Sequence, residues 1–255
     1  MTVIELYRAL EAEIPVRFPP ETDCDGAQIV PDADREVRRI LVSLDPYEYA
    51  VRLALRGGYD VLLTHHPLFY FDRVPGSQPD KWGAELERAG VAQFSFHMRL
   101  DEREGGVNDL LAARLGLVRV TRFGIDEAPE IGRVGDLPEP LTAAALAARV
   151  KAALDAPRVE YTPRTDGEMI TRVAVLGGSS SDFLDAAAAA GAQALVGGEF
   201  KHHAFGCARG MNLTLVGAGH FCTETPVCAF LADTARRLCP DAVTDLCSVN
   251  PTVTL

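Results

Sequence analysis

The sequence predicts an α/β protein made of two similar α/β units with mainly parallel sheets. Short β-rich runs alternate with helical stretches in two separate series, and the two series share a recurring pattern. The 255 residues, 47% of them hydrophobic, are enough to build a proper core.

In the first series, β-rich runs at 40–44, Val61–Thr64 and 93–96 are separated by helical stretches running through Ala54 and near 83–89. The second series starts at Arg172 with runs at 173–176, 194–196 and 213–216. Between and after them come an alanine-rich helix over 183–190, a helix over 201–209 and another after Thr223. Strand and helix in strict alternation predict parallel pairing, because the crossover helix returns the chain to start the next strand in the same direction. From 125 to 170 prolines and acidic residues interrupt the pattern, although 142–154 reads as an alanine and leucine helix capped by Thr142. The expected organisation is a first unit over 1–124, a short connecting region over 125–170 and a second unit over 171–255.

Charge narrows the partners. With 36 acidic against 25 basic residues the net charge is −11, and no basic run concentrates positive charge, which disfavours nucleic acid and anionic membranes. The first ten residues lack a signal pattern and no stretch is apolar over the roughly 18 residues of a membrane span, so a cytoplasmic location is expected. The six cysteines form no Cys-x-x-Cys pair and are expected to be free thiols.

The recurring pattern centres on histidine. Segment 56–66 ends a β-rich run on His65-His66, and segment 190–203 ends on His202-His203. Each continues through a glycine, Gly90 or Gly210, and another β-rich run to a histidine with a carboxylate four residues on: His97 with Asp101, and His220 with Glu224. This points to an internal duplication, although short α/β segments with glycine turns also look alike by composition alone.

All six histidines fall at these points. The carboxyl ends of parallel strands converge on one edge of a sheet, where loops bring side chains together. On an extended backbone His65 and His66 would point to opposite sides, so each suits a different one of two neighbouring ions. Nitrogen and oxygen donors suit zinc, iron, manganese or nickel, and a bridging carboxylate holds two ions about 3.5–4 Å apart. Glu224 is the candidate bridge, with Asp101 and His220 completing the set. A single histidine at a strand end is more often a hydrogen-bonded core or surface residue; the set as a whole, with its His65-His66-Pro67 turn, favours a dinuclear site between the two units.

His97, four residues before Asp101, is the catalytic candidate, placed to orient a carboxylate or shuttle a proton. His202 and His203 stand near a helix start and are candidates for substrate contact, with a solvated helix start as the other reading. Asn108, in Gly105-Gly106-Val107-Asn108-Asp109, is a candidate cap or substrate-pocket residue. The turn Gly177-Gly178-Ser179-Ser180-Ser181-Asp182 reads either as plain capping or as an anion cradle.

With these residues in view, the chain resembles the Nif-three-like dinuclear metal-centre proteins, whose members also carry the name GTP cyclohydrolase I type 2 homologue. The resemblance spans nearly the whole chain. It rests on Thr64-His65-His66-Pro67-Leu68, His97 through Asp101, the Gly105 to Asp109 segment, Gly198-Glu199 with His202-His203, and Gly219-His220 through Thr223-Glu224. It implies one metal on His66, Asp101 and Glu224, the other on His65, His220 and Glu224, and a hexameric ring of identical chains. The chain departs from the family pattern at Met98-Arg99, at Gly197-Gly198-Glu199 and at Thr22-Asp23-Cys24-Asp25; the ligands are kept, and the substrate contacts change. Longer members carry an inserted middle domain, for which 125–170 leaves no room. The expectation is a dinuclear metal-dependent hydrolase with two divalent ions per chain, acting on a nucleotide such as GTP or another small molecule. The alternative is a non-catalytic metal-binding or regulatory scaffold.

Overall fold

The computed structural model describes residues 1–17 and 23–253. In chain order the elements are α1 (Val3–Glu13), β1 (Gly26–Ile29), β2 (Arg39–Ser43), α2 (Glu48–Gly57), β3 (Val61–Thr64), α3 (Gln78–Ala89), β4 (Ala92–Ser95), α4 (Met98–Glu102) and α5 (Val107–Leu115). There follow β5 (Val118–Ile125), β6 (Ala128–Leu141), α6 (Ala143–Ala153), β7 (Glu160–Tyr161), β8 (Ile170–Ser179), a 3₁₀ turn, α7 (Leu184–Ala189), β9 (Ala194–Glu199) and α8 (His202–Gly210). The last are β10 (Thr214–Gly217), α9 (His220–Glu224), α10 (Val227–Leu238) and β11 (Val243–Cys247). Among the described residues no helix is long and apolar enough to cross a membrane.

The chain divides into two compact units. The first comprises Met1–Leu100 and Val227–Pro251, the second Asp101–Pro226 and Thr252–Leu255. This differs from the expected division at 125–170. The chain leaves the first unit inside α4, between Leu100 and Asp101, and the segment carrying α10 and β11 completes the first sheet.

The first unit holds a sheet in the order β1-β4-β3-β2-β11, parallel except for β1. β2 and β3 are apolar and buried along nearly their whole length, as strands covered on both faces must be. Leu41, Leu62 and Leu86 form its core with Val51 and Ala54 of α2. The starts of β2 and β3 are tied by Asp60, whose buried carboxylate accepts the backbone N–H groups of Arg38 and Arg39 and the Arg35 guanidinium. At the opposite edge Ser43, Thr64 and Ser95 lie in register, so the residues after β2, β3 and β4 leave the sheet side by side.

The second unit holds a sheet in the order β5-β6-β8-β9-β10-β7. Only β8, β9 and β10 run parallel; β5, β6 and β7 pair antiparallel, so the expectation of a mainly parallel sheet holds for the first unit and not for this one. The stretch 125–170, expected as a connection, supplies β6, α6 and β7. Its prolines disguised it: Pro138 and Pro140 lie where the β6 to β8 register shifts between Asp136 and Leu141, a place where a missing N–H costs no regular ladder bond. Helix α6 starts as expected, with the Thr142 hydroxyl accepting the Ala145 N–H.

Both units contain a β-α-β-α-β run ending in a five-residue helix, α4 or α9. Ile40, Val61 and Ala92 are paired in one, and Val173, Ala194 and Thr214 in the other. Counting forward from those rows matches His66 with Glu199, Met98 with His220 and Glu102 with Glu224. The match drawn from sequence, His97 and Asp101 with His220 and Glu224, is thus one residue out of register.

Candidate metal centre

In the first unit, β3 and β4 deliver three imidazoles. The strand ends at Thr64, and its hydroxyl donates to the His66 carbonyl at 2.6 Å, bending the chain through His65-His66-Pro67. The His66 N–H returns to Leu44 at 3.0 Å. Because the pair sits in this bend, strand alternation no longer separates the rings. Their centroids are 4.8 Å apart, instead of on opposite sides as an extended backbone would place them. His97, just beyond β4, joins them, its ring 5.3 Å from that of His65 and 5.6 Å from that of His66. One ring nitrogen of each of the three lies within 4.8 Å of the other two.

Each ring is held through Nδ1. His65 Nδ1 donates to the Phe96 carbonyl at 2.9 Å, His66 Nδ1 to Asp45 at 2.7 Å and His97 Nδ1 to Asp23 at 2.8 Å. This pattern sets the tautomer and directs Nε2 as the electron-pair donor, which is how proteins orient metal-binding histidines. Asp23 also accepts the Met98 N–H, and Asp25 accepts the His97 N–H. Arg99, buried, grips Asp25 with two nitrogens at 2.7 and 2.6 Å. Burial alone would raise the Asp23 carboxyl; the hydrogen bond and charge of His97, with the Met98 and Cys24 N–H groups, outweigh it and lower it. The segment noted as a departure, Thr22-Asp23-Cys24-Asp25, therefore supports His97; Thr22 lies outside the described residues.

In the second unit, α4, α5 and α9 place carboxylates. Asp101 and Glu224 are buried, with a carboxylate oxygen of each within 4.8 Å of the other. His220 Nε2 lies 2.9 Å from Glu224, and its Nδ1 3.0 Å from Glu199. Burial disfavours a charged His220 ring, but hydrogen bonds to Glu199 and Glu224 overcome this and push its pKa up to about 11. Two carboxylates here balance one positive charge, and a divalent cation is the natural alternative to the proton. Gly178 makes room for them: at φ +67 it lies so close that a Cβ would stand 2.3 Å from Glu224 Oε1 and 3.1 Å from His220 Cε1. The Gly178 N–H donates to the hydroxyl of Thr223, locking α9 to the end of β8. The segment expected as a turn from Gly177 to Asp182 is in part strand: Gly177, Gly178 and Ser179 end β8, and the 3₁₀ turn Ser181–Phe183 follows.

Asn108, the candidate substrate-pocket residue, is fully buried. Its amide donates to the carbonyls of Asp101 (3.2 Å) and Ile131 (2.8 Å), and its carbonyl accepts the Gly177 N–H at 2.8 Å. Both amide hydrogens are consumed, so it acts as a strut between the Asp101 helix and the end of β8. Buried Arg133 holds the same region, donating to the Glu102 carbonyl and pairing with Asp109. His202 and His203 open α8 as exposed residues, outside every cluster of potential ligands among the described residues. Of the carboxylates that orient His66 and His220, Asp45 escaped the sequence reading, and Glu199 was named only within its family segment, with no role on His220. Both immediately follow or end a strand at the edge that carries the histidines, so the strand-end rule that found His65 would have found them too.

The donor sets, imidazole nitrogen in one unit and carboxylate oxygen with imidazole in the other, fit borderline first-row divalent ions. Known proteins share this chain's sequence pattern and fold. Residues 1–250 match the family described as Duf34/NIF3 (NGG1p interacting factor 3). A Streptomyces coelicolor protein named GTP cyclohydrolase 1 type 2 homolog is 35% identical over 234 residues, covering 88% of this chain and 82% of its own length. The crystal structure of a Bacillus cereus protein related to NIF3 has the same fold, with a TM-score of 0.89 at 19% identity over 100% of this chain and 99% of that one. A Thermus thermophilus crystal structure matches at TM-score 0.83 and 27% identity, covering 99% of each chain.

Proposed function

The chain belongs to the Duf34/NIF3 family, and on that premise we propose that it is a metal-dependent hydrolase whose two divalent ions are held by His65, His66, Asp101, His220 and Glu224. The observation that carries this reading is the anchoring of His65, His66 and His220 through Nδ1, two of them on carboxylates. A purely structural histidine has no need of a carboxylate aimed at the nitrogen remote from the site; a ligand does, because the contact fixes the ring and strengthens its basicity.

Bound ions would lower the pKa of a coordinated water towards about 7 and polarise the bond under attack. The protein's own residues prepare for this. Asp45 and Glu199 keep His66 and His220 in the ligating tautomer, Asn108 binds the Asp101 carbonyl, and Gly178 leaves the space that Glu224 occupies. The relatives' name supports a nucleotide such as GTP as the substrate class, and a hexamer of identical chains is the assembly that the family resemblance implies. Zinc, iron, manganese and nickel all suit these donors.

Elemental analysis of untreated protein, paired with a screen of nucleotides on the same preparation, tests the reading. Two ions per chain and turnover abolished by Glu224→Gln are expected. Fewer than one ion per chain after reconstitution would overturn it. One observation favours the non-catalytic scaffold as a second reading: of the three residues expected at a substrate, Asn108 is spent on structure, and His202 and His203 stand exposed outside the clusters. On that reading Glu224→Gln changes metal content or assembly and there is no turnover to lose.

A further inference from the structure

We propose that Tyr70 and Phe71, on the loop after His66-Pro67, form a stacking platform that binds the planar ring of the substrate beside His97. The inference rests on the hydrolase reading for its occupant and deepens it: the class selected is a neutral heteroaromatic ring, a nucleobase, held by its face.

Phenylalanine ordinarily stabilises a fold by burial, yet Phe71 is 69% exposed and stands at φ +63, where a bulky side chain is strained. The Asp72 N–H closes the turn on the Tyr70 carbonyl at 2.9 Å, giving the three-residue turn whose positive-φ form is rare. Neither packing nor backbone preference accounts for this ring, and strain of this kind collects at functional sites. The loop is braced on both sides of the turn. Gln28 Oε1 accepts the Leu68 and Phe69 N–H groups at 2.7 and 2.9 Å, and the Gln28 amide donates to the Phe69 carbonyl at 3.0 Å. Beyond the turn, Arg73 pairs with Asp80 and Glu87 and lies over the Phe69 ring. The Phe71 backbone hydrogen-bonds the Cys24 thiol. An exposed ring on a braced backbone loses little freedom when it binds.

Tyr70 places the platform at the histidines. Its half-exposed ring meets His97 edge-on, with centroids 6.1 Å apart and planes at 89°. Its hydroxyl hydrogen-bonds Tyr47, whose ring lies 5.7 Å from Trp82, so an aromatic wall runs from α3 to His97. The charges nearby disfavour a phosphate on this loop. Asp23 stands on His97, Asp45 on His66, and Asp72 follows Phe71 in the chain, while Arg73 and Arg99 are each committed to acids. Exposed aromatic faces among negative charges accept a neutral planar ring, which stacks on them by its π-face.

Calorimetric titration of the full-length protein as purified, with guanosine as the ring probe and ribose 5-phosphate as the probe without a base, tests the platform. Elemental analysis accompanies it on the same preparations. Removing an aromatic ring that stacks on a base costs about 5–150-fold in affinity. Phe71→Gly should therefore weaken guanosine binding while leaving ribose 5-phosphate and metal content unchanged. It should also hold or raise the thermal midpoint, because glycine takes φ +63 without strain. Phe71→Tyr keeps a ring and should bind guanosine as the wild type does. Wild-type protein that binds no guanosine, or a guanosine affinity indifferent to Phe71→Gly, would overturn the platform, and two ions per chain in the same sample would leave the hydrolase reading standing. A fall in midpoint with a change in oligomeric mass on Phe71→Gly would show the ring packed against a second copy, which also overturns it. Guanosine held through Phe71 by protein with fewer than one ion per chain after reconstitution keeps the platform and overturns the hydrolase reading.

Discussion

Replacing Gly178 by alanine separates backbone cost from damage to the metal centre. The residue has φ +67, where alanine costs about 1–2 kcal/mol. Its new Cβ would lie 2.3 Å from Glu224 Oε1, whereas ordinary contact begins at 3.4 Å, so the carboxylate must retreat by roughly 1.1 Å (3.4 − 2.3). Ligand distances in metal sites tolerate deviations of only about 0.2 Å. The carboxylate expected to bridge is therefore displaced several times beyond tolerance, and the expected loss of metal affinity is at least tenfold, about 1.4 kcal/mol or more. Gly191→Ala is the control: φ is +80, but the nearest atom to its Cβ is 3.8 Å away, so it bears the backbone cost alone. Both variants should lose roughly 2–8 °C of thermal midpoint in chelator. Only Gly178→Ala should also lose bound metal, read by elemental analysis and by competition with a chromogenic chelator. Equal metal affinity in the two variants would refute the placement of Glu224 as a ligand.

Three further outcomes follow from the same contacts. Asp45→Ala should weaken metal binding about 10–100-fold by freeing the His66 ring, and Asp45→Asn should weaken it less because an amide oxygen still accepts from Nδ1; an unchanged chelator competition curve for both would count against Asp45 as the residue that positions His66. Asn108→Ala leaves the Gly177 N–H and two carbonyls without their partner in a buried place, a cost of about 2–4 kcal/mol and roughly 5–15 °C of midpoint, and a shift under 2 °C by calorimetry would show the strut to be dispensable. Asp166 is lowered from 3.8 to about 2, by Arg164 first and then by the Glu168 N–H. A depressed carboxyl stabilises the fold above its unfolded value and loses that contribution as pH falls through the folded one. The midpoint difference between wild type and Asp166→Asn should thus be largest above pH 4 and shrink towards pH 2; a difference constant across that range would disprove the coupling.

Much of the candidate site was legible in sequence because its residues obey a local rule. Strands of a parallel sheet end on one edge, and histidines immediately after β-rich runs stand out when the chain has only six. What misled was also local reasoning carried past its range. Alternation placed His65 and His66 on opposite sides, but the strand stops at Thr64, and the Thr64 hydroxyl bends the pair so that their rings lie together. Asn108 looked like a pocket residue because a polar side chain near a predicted ligand has no visible partner in one dimension. Its partners, at Ile131 and Gly177, are remote in sequence.

The amino-acid pattern alone determined that this is an α/β chain with two strand-helix series and a histidine and carboxylate set at the strand ends, because hydrophobic periodicity and turn chemistry are properties of neighbouring residues. It also determined the start of α6 at Thr142. Only the tertiary structure decided the rest. Val227–Pro251 returns to the first unit because β11 pairs with β2, a contact between segments some two hundred residues apart that no local pattern encodes. The stretch 125–170 became part of a sheet because its prolines fall where the ladder shifts. Asp23, Asp45 and Glu199 became the supports of the histidines because through-space hydrogen bonding, and not spacing along the chain, selects which carboxylate meets which ring.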